Sequence, residues 1–198
     1  PGPFAATAAE GRVRLGAEME SPETAAAIYR RFRERHAADA ELLATVRERL
    51  GELALRLGGM PEFRAVTLDG AIVDREALRG KVLVVDFWAT WCQPCLEQVP
   101  TLRRIHERFG DRVELVGVNL DHAEQTSAEE LRGWLARQQL PGRQLRDGRG
   151  WDSELVRAFG VREIPFTVVA DAGGRVLAVG EQGKGLERAV QAALKVGP

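Results

Sequence analysis

The sequence predicts an α/β protein: a three-layer domain on a mixed β-sheet, preceded by an N-terminal helical hairpin. Three observations carry this. The run Val82-Leu83-Val84-Val85 has strand length and no polar alternation, as in a central parallel strand covered on both faces. Strand-length and helix-length segments alternate after it as βαβ, a helical insertion, then ββα. The texture also changes at Met60-Pro61, from helical spacing to short apolar runs divided by Gly and Asp turns. That change separates a helical extension at 1–59 from a domain at 60–198.

Composition removes several function classes. The 198 residues carry 28 basic and 29 acidic side chains, a net charge of -1, with the two signs interspersed. Neither a nucleic-acid surface nor a membrane-seeking basic stripe fits that distribution. The two cysteines stand three residues apart, which excludes a disulfide framework and leaves redox chemistry or half a metal site. His36, His106 and His122 are scattered without metal-ligand spacing, so no metal is expected. No apolar run approaches the roughly 18 residues of a membrane span, so no membrane segment is expected. The start at Pro1 is compatible with a removed signal peptide or anchor.

In chain order, residues 1 to 20 have no clear period. Ser21-Pro22-Glu23 reads as an N-cap, a first-turn proline and an acid at the positive helix end, opening a helix to about Ala37 with Ile28 and Phe32 on one face. Asp39 caps a second helix whose stripe is Leu42, Val46, Leu50, Leu53 and Leu57, closed by Gly58-Gly59. This antiparallel pair must bury its stripe on the following domain or on a partner chain, as a cap or as a recognition arm.

Phe63 to Leu68 and Ala71 to Val73 read as a hairpin about Asp69-Gly70. After the central strand come a helix from Pro94 to Phe109, a strand from Val113 to Asn119 and a helix from Ser127 to Gln139. A weaker strand follows at Gln144 to Arg146, then a short helix from Asp152 to Phe159. Thr167 to Ala170 and Arg175 to Val179 form an antiparallel hairpin about Asp171-Ala172-Gly173-Gly174, and Gly185 to Val196 gives the last helix. Functional residues of such a domain gather at the carboxyl ends of its strands.

Chemistry concentrates at Cys92-Gln93-Pro94-Cys95. Cys92 at a helix start lies near unpaired backbone N–H groups and the positive helix end, which stabilise its thiolate and make it the nucleophile. Cys95, one turn further in, is placed to attack the mixed disulfide that Cys92 forms. Pro94 fits the first turn, where its missing N–H costs little. Asp86 ends an apolar strand. Desolvation there raises its pKa and suits it to take the proton of Cys95.

The segment Asp86-Phe87-Trp88-Ala89-Thr90-Trp91-Cys92-Gln93-Pro94-Cys95, with Pro100 following, resembles the active-site segment of thioredoxin-fold thiol-disulfide oxidoreductases. Val161-Arg162-Glu163-Ile164-Pro165 resembles the second signature of that family, and the leader 63–80 with the insertion between Asn119 and Phe159 resembles its extracytoplasmic TlpA/ResA-like branch. The resemblance covers residues 61–198. It implies a thioredoxin-like fold, with Cys92, Cys95, Asp86 and Pro165 as catalytic residues and Pro165 as a cis-proline against the cysteines.

Ile164 would offer its backbone to an extended substrate, Trp91 would flank the nucleophile, and Gln93 and Pro94 would complete the substrate-facing turn; Trp88 belongs to the core. The implied partners are a disulfide-containing protein substrate, with those of cytochrome c maturation as one class, and an upstream thiol electron donor. The implied location is extracytoplasmic, and no cofactor is implied. Three positions depart from the pattern. Gln98 stands where the ResA type has a glutamate, with Glu97 solvated beside it; Gly117 stands where thioredoxins often have a lysine; and Phe166 replaces the threonine usual after the cis-proline.

The Gln-Pro dipeptide lacks a histidine that would stabilise the Cys92 thiolate further, which favours a reductant. The alternatives are an oxidase or isomerase of the same fold, a non-catalytic binding module with a static disulfide, or a peroxidase. The peroxidatic Pro-x-x-x-Thr-x-x-Cys pattern is absent.

Overall fold

The computed structural model describes residues 63–74 and 76–196, residues 58–61, and Arg35, His36, Ala38, Asp39, Gly51 and Leu55. A five-stranded sheet has β3 (Val82–Trp88) at its centre. On one side β4 (Val113–Asn119) runs parallel to β3, and β5 (Arg143–Leu145) runs parallel to β4. On the other side β6 (Phe166–Ala170) is antiparallel to β3, and β7 (Val176–Val179) is antiparallel to β6. β1 (Arg64–Val66) and β2 (Ile72–Asp74) form a separate hairpin, turned at Asp69-Gly70 with Gly70 at φ 92°. The helices are α1 (Gln93–Phe109), α2 (Ala128–Gln138), α3 (Glu154–Phe159) and α4 (Gly183–Ala193).

Every residue of β3 is buried, so the strand separates two cores. Val82 and Val84 pack on one face with Leu102 and Ile105 of α1 and Leu186 and Val190 of α4. Leu83, Val85 and Phe87 pack on the other with Val73, Leu145 and Phe159. Each such side chain contributes about 1.5–3 kcal/mol on burial. Local signals set the helix ends: Ser127 Oγ accepts from Glu130 N at 3.2 Å while Ser127 N donates to Glu130 Oε2 at 2.7 Å, a capping box that opens α2. α1 runs unbroken through Pro100.

The central strand is longer than its apolar run, because Asp86 is accommodated inside it and pairing continues to Trp88. The stripe expected of the extension lies outside the described residues. Leu55, which is not in that stripe, is helical and buried in the core of the domain. Gly51 permits this: a Cβ there would stand 2.0 Å from the Ala158 carbonyl oxygen, so only a glycine lets the two backbones meet. Among the described residues no helix is long and apolar enough to cross a membrane.

Candidate active site

β3 delivers the chain to the cysteine pair. After Trp88 the backbone turns, with Cys92 N donating to Ala89 O at 3.2 Å, and Cys92 caps α1 in an extended conformation while its Sγ accepts from Cys95 N at 3.3 Å. Cys92 and Cys95 are joined by a disulfide, their Cα atoms 5.3 Å apart. Both are buried, whereas Trp91, Gln93 and Pro94 around them are exposed, Trp91 by 54%. The reactive sulfurs thus sit at the positive end of a helix inside an exposed rim with one large apolar side chain.

The Ile164–Pro165 peptide bond is cis. β6 runs antiparallel to β3 with Phe87 opposite Phe166, so Pro165 falls beside Trp88 at the strand end that feeds the cysteine turn. Ile164 and Pro165 are half-buried. Phe166 turns inward, its ring 5.9 Å from that of Phe87 in an edge contact.

Asp86 lies behind this surface, 5% exposed, on the face of β3 covered by α1. Burial pushes its carboxyl up to about 7, and the neighbouring Gln98 amide opposes part of that rise. Gln98 is buried, and its Oε1 accepts from Gly183 N at 3.3 Å, which fixes the amide between α1 and the start of α4. Its Nε2 and the Oδ1 of Asp86 have no hydrogen-bond partner, so the amide acts on the carboxyl as a nearby dipole rather than through a formed bond.

Abreast of Asp86 on β4 is Gly117, and abreast of Gly117 on β5 is Gln144. The Gln144 amide folds over the glycine so closely that a Cβ there would lie 2.2 Å from its Oε1. That oxygen accepts from Trp88 Nε1 at 3.0 Å. A cavity of about 10 Å³, lined by Asp86, Gly117, Gln144, Leu140 and Pro141 among others, has room for about one water.

A second buried acid holds the turn itself. Asp121, 1% exposed, follows β4, and its Oδ1 accepts from Thr90 Oγ1 at 2.9 Å and from Thr90 N at 3.2 Å. Its Oδ2 accepts from Asn119 Nδ2 at 2.7 Å, and Asn119 Oδ1 accepts from Asp121 N at 3.2 Å.

The fold therefore gathers Cys92, Cys95, Trp91, Gln93 and Pro94 at the head of α1, brings Ile164 and Pro165 to the same end of the sheet, and sets Asp86 behind them. Sequence reasoning missed Gln144 and Asp121. The polar residues Asn119 and Asp121, at and just past the end of an apolar strand, were a readable signal. Gln144, on a three-residue strand, gave none.

Residues 59–179 match the model of the AhpC/TSA family. Among curated proteins, the chain is 29% identical over 114 residues to the thioredoxin-like protein YneN of Bacillus subtilis, covering 58% of this chain and 64% of that protein. It is 30% identical over 109 residues to the thiol:disulfide interchange protein HelX of Rhodobacter capsulatus, covering 55% and 57%. The chain thus spans less than two thirds of the length of these relatives. Among solved structures, the C-terminal domain of a thiol-disulfide oxidoreductase from Bacteroides thetaiotaomicron superposes with a TM-score of 0.60 at 22% identity, over 68% of this chain and 93% of that one. A thiol:disulfide interchange protein of the thioredoxin family from Chlorobium tepidum does so with a TM-score of 0.57 at 27% identity, over 68% and 94%.

Proposed function

The chain belongs to the AhpC/TSA family, and from that premise we propose that it is a thiol-disulfide oxidoreductase that reduces disulfides of extracytoplasmic partner proteins. The observation that carries this reading is the Cys92–Cys95 disulfide at the head of α1 with a buried acid behind it. In the reduced pair the Cys92 thiolate attacks a sulfur of the partner disulfide and expels the other as thiolate. Asp86 takes the proton of Cys95, whose sulfur then attacks Cys92 Sγ, releases the second partner sulfur and closes the internal disulfide. Two electrons have passed to the partner, and an upstream thiol donor returns them. Trp91, Gln93 and Pro94 supply the contact rim, and the half-buried Ile164–Pro165 segment ahead of β6 pairs with an extended substrate segment.

Insulin reduction with a dithiol donor tests the activity. The unaltered chain should turn over, Cys92→Ser should abolish turnover, and Cys95→Ser should accumulate a mixed disulfide with the partner. Equal rates for the chain and Cys92→Ser would leave a binding module with a static disulfide instead.

A further inference from the structure

The proton-accepting role of Asp86 leaves the second buried acid unused. The hydrogen bonds of Asp121 run to Thr90, two residues before Cys92, and to Asn119. Both of its carboxyl oxygens accept and neither donates, the pattern of a carboxylate. Two residues of backbone span at most about 7 Å, so the Thr90 that this acid holds lies within that distance of Cys92 along the backbone. Asp121 and Cys92 are both buried, at 1% and 5% exposure, and charges in such positions are screened less than exposed ones.

We infer that Asp121 is a positioning residue of the cysteine pair, whose buried charge, held against Thr90, destabilises the Cys92 thiolate and so makes the pair a stronger reductant. This rests on the oxidoreductase reading above and favours its reducing direction. Oxidation of the Cys92–Cys95 dithiol sends two electrons to a partner disulfide; one S–S bond forms as the partner's breaks, and the protons pass to the partner thiolates or to water. The thiolate exists only in the reduced state. A fixed negative charge beside it penalises that state alone and favours electron donation. The helix end works the other way, stabilising the same thiolate, so the potential reflects the balance of the two.

The test is equilibration of the full chain with glutathione redox buffers at pH 7. Asp121→Asn is expected to hold its dithiol at least about tenfold more strongly, an upward shift of about 30 mV. Thr90→Val keeps the charge and removes the hydroxyl, and is expected to stay within about threefold of the unaltered chain. No shift in Asp121→Asn would overturn the inference, and so would an equal shift in Thr90→Val, which would assign the effect to the loop rather than to the charge. Should Asp121→Asn not fold, Asp121→Ser is equilibrated in the same buffers, and a dithiol held no more strongly than in the unaltered chain overturns the inference. Failure of the unaltered chain to exchange with glutathione at all would instead remove the proposed function.

Discussion

Asp86 and Gln98 face each other behind the cysteine pair, and each keeps one buried atom, Oδ1 and Nε2, that no hydrogen bond satisfies. An unsatisfied buried group is costly, about 1–3 kcal/mol, so the pairing marks a place where stability yields to chemistry. The amide dipole favours the ionised carboxylate and burial favours the neutral acid, and the second effect is the larger. Gln98→Leu removes the only opposing influence. It should move the pH midpoint of the Cys95 resolution step upward, by on the order of one unit, while the first attack by Cys92 stays unchanged. Single-turnover kinetics across pH separates the two steps. An unmoved midpoint would mean that Gln98 does not act on Asp86.

The same carboxyl ties stability to pH. Its pKa is raised in the folded chain from 3.8 to about 7, so between those values the folded state binds more protons than the unfolded one. Stability therefore falls as pH rises through that window, and the full cost is present above about 7. At 1.36 kcal/mol per unit the cost is about 4 kcal/mol. Asp86→Asn, which cannot ionise, should be more stable than the unaltered chain in urea at pH 8 and nearly equal to it at pH 4. A stability difference that does not change with pH would rule out ionisation of Asp86 as its source.

The sheet, the order of elements and the cysteine turn were legible because each rests on local signals: the apolar run at Val82, the turns at Asp69-Gly70 and Gly173-Gly174, and the Ser127 cap. The expectation for Asp86 followed from one polar residue ending an apolar run. The support around it was not legible. Gln98 and Glu97 are neighbours on one helix, and only packing against Gly183 shows that the first is buried and the second exposed. Gln144 and Gly117 meet across strands from separate parts of the chain, so no spacing in the sequence joins them. Asp121 reaches Thr90 in the same way.

Gly117 gives a prediction whose sign depends on that cross-strand meeting. Alanine in place of glycine normally suits a strand, yet here the new Cβ would lie 2.2 Å from Gln144 Oε1 and displace the amide that receives the Trp88 indole N–H. Gly117→Ala should cost about 1–3 kcal/mol. In Gln144→Ala the space is open and the same change should cost far less. A double-mutant cycle in urea measures the coupling, which should exceed about 0.5 kcal/mol; additive costs would show that the two residues do not meet.

The extension offers a sharper contrast of signs. In an exposed helix Gly→Ala stabilises by about 1 kcal/mol. At Gly51 the added Cβ would sit 2.0 Å from the Ala158 carbonyl oxygen, so the backbone at position 51 must withdraw, which pulls on the core residue Leu55 four positions later. Gly51→Ala should therefore destabilise the domain, by about 1–3 kcal/mol, and Leu55→Ala by about 2–5 kcal/mol. Combining them should cost less than the sum, because withdrawal of the backbone at position 51 already loosens the leucine. Urea unfolding of the two single variants and the double variant checks this. A stabilising Gly51→Ala would mean that the backbone at position 51 does not press on Ala158 in solution.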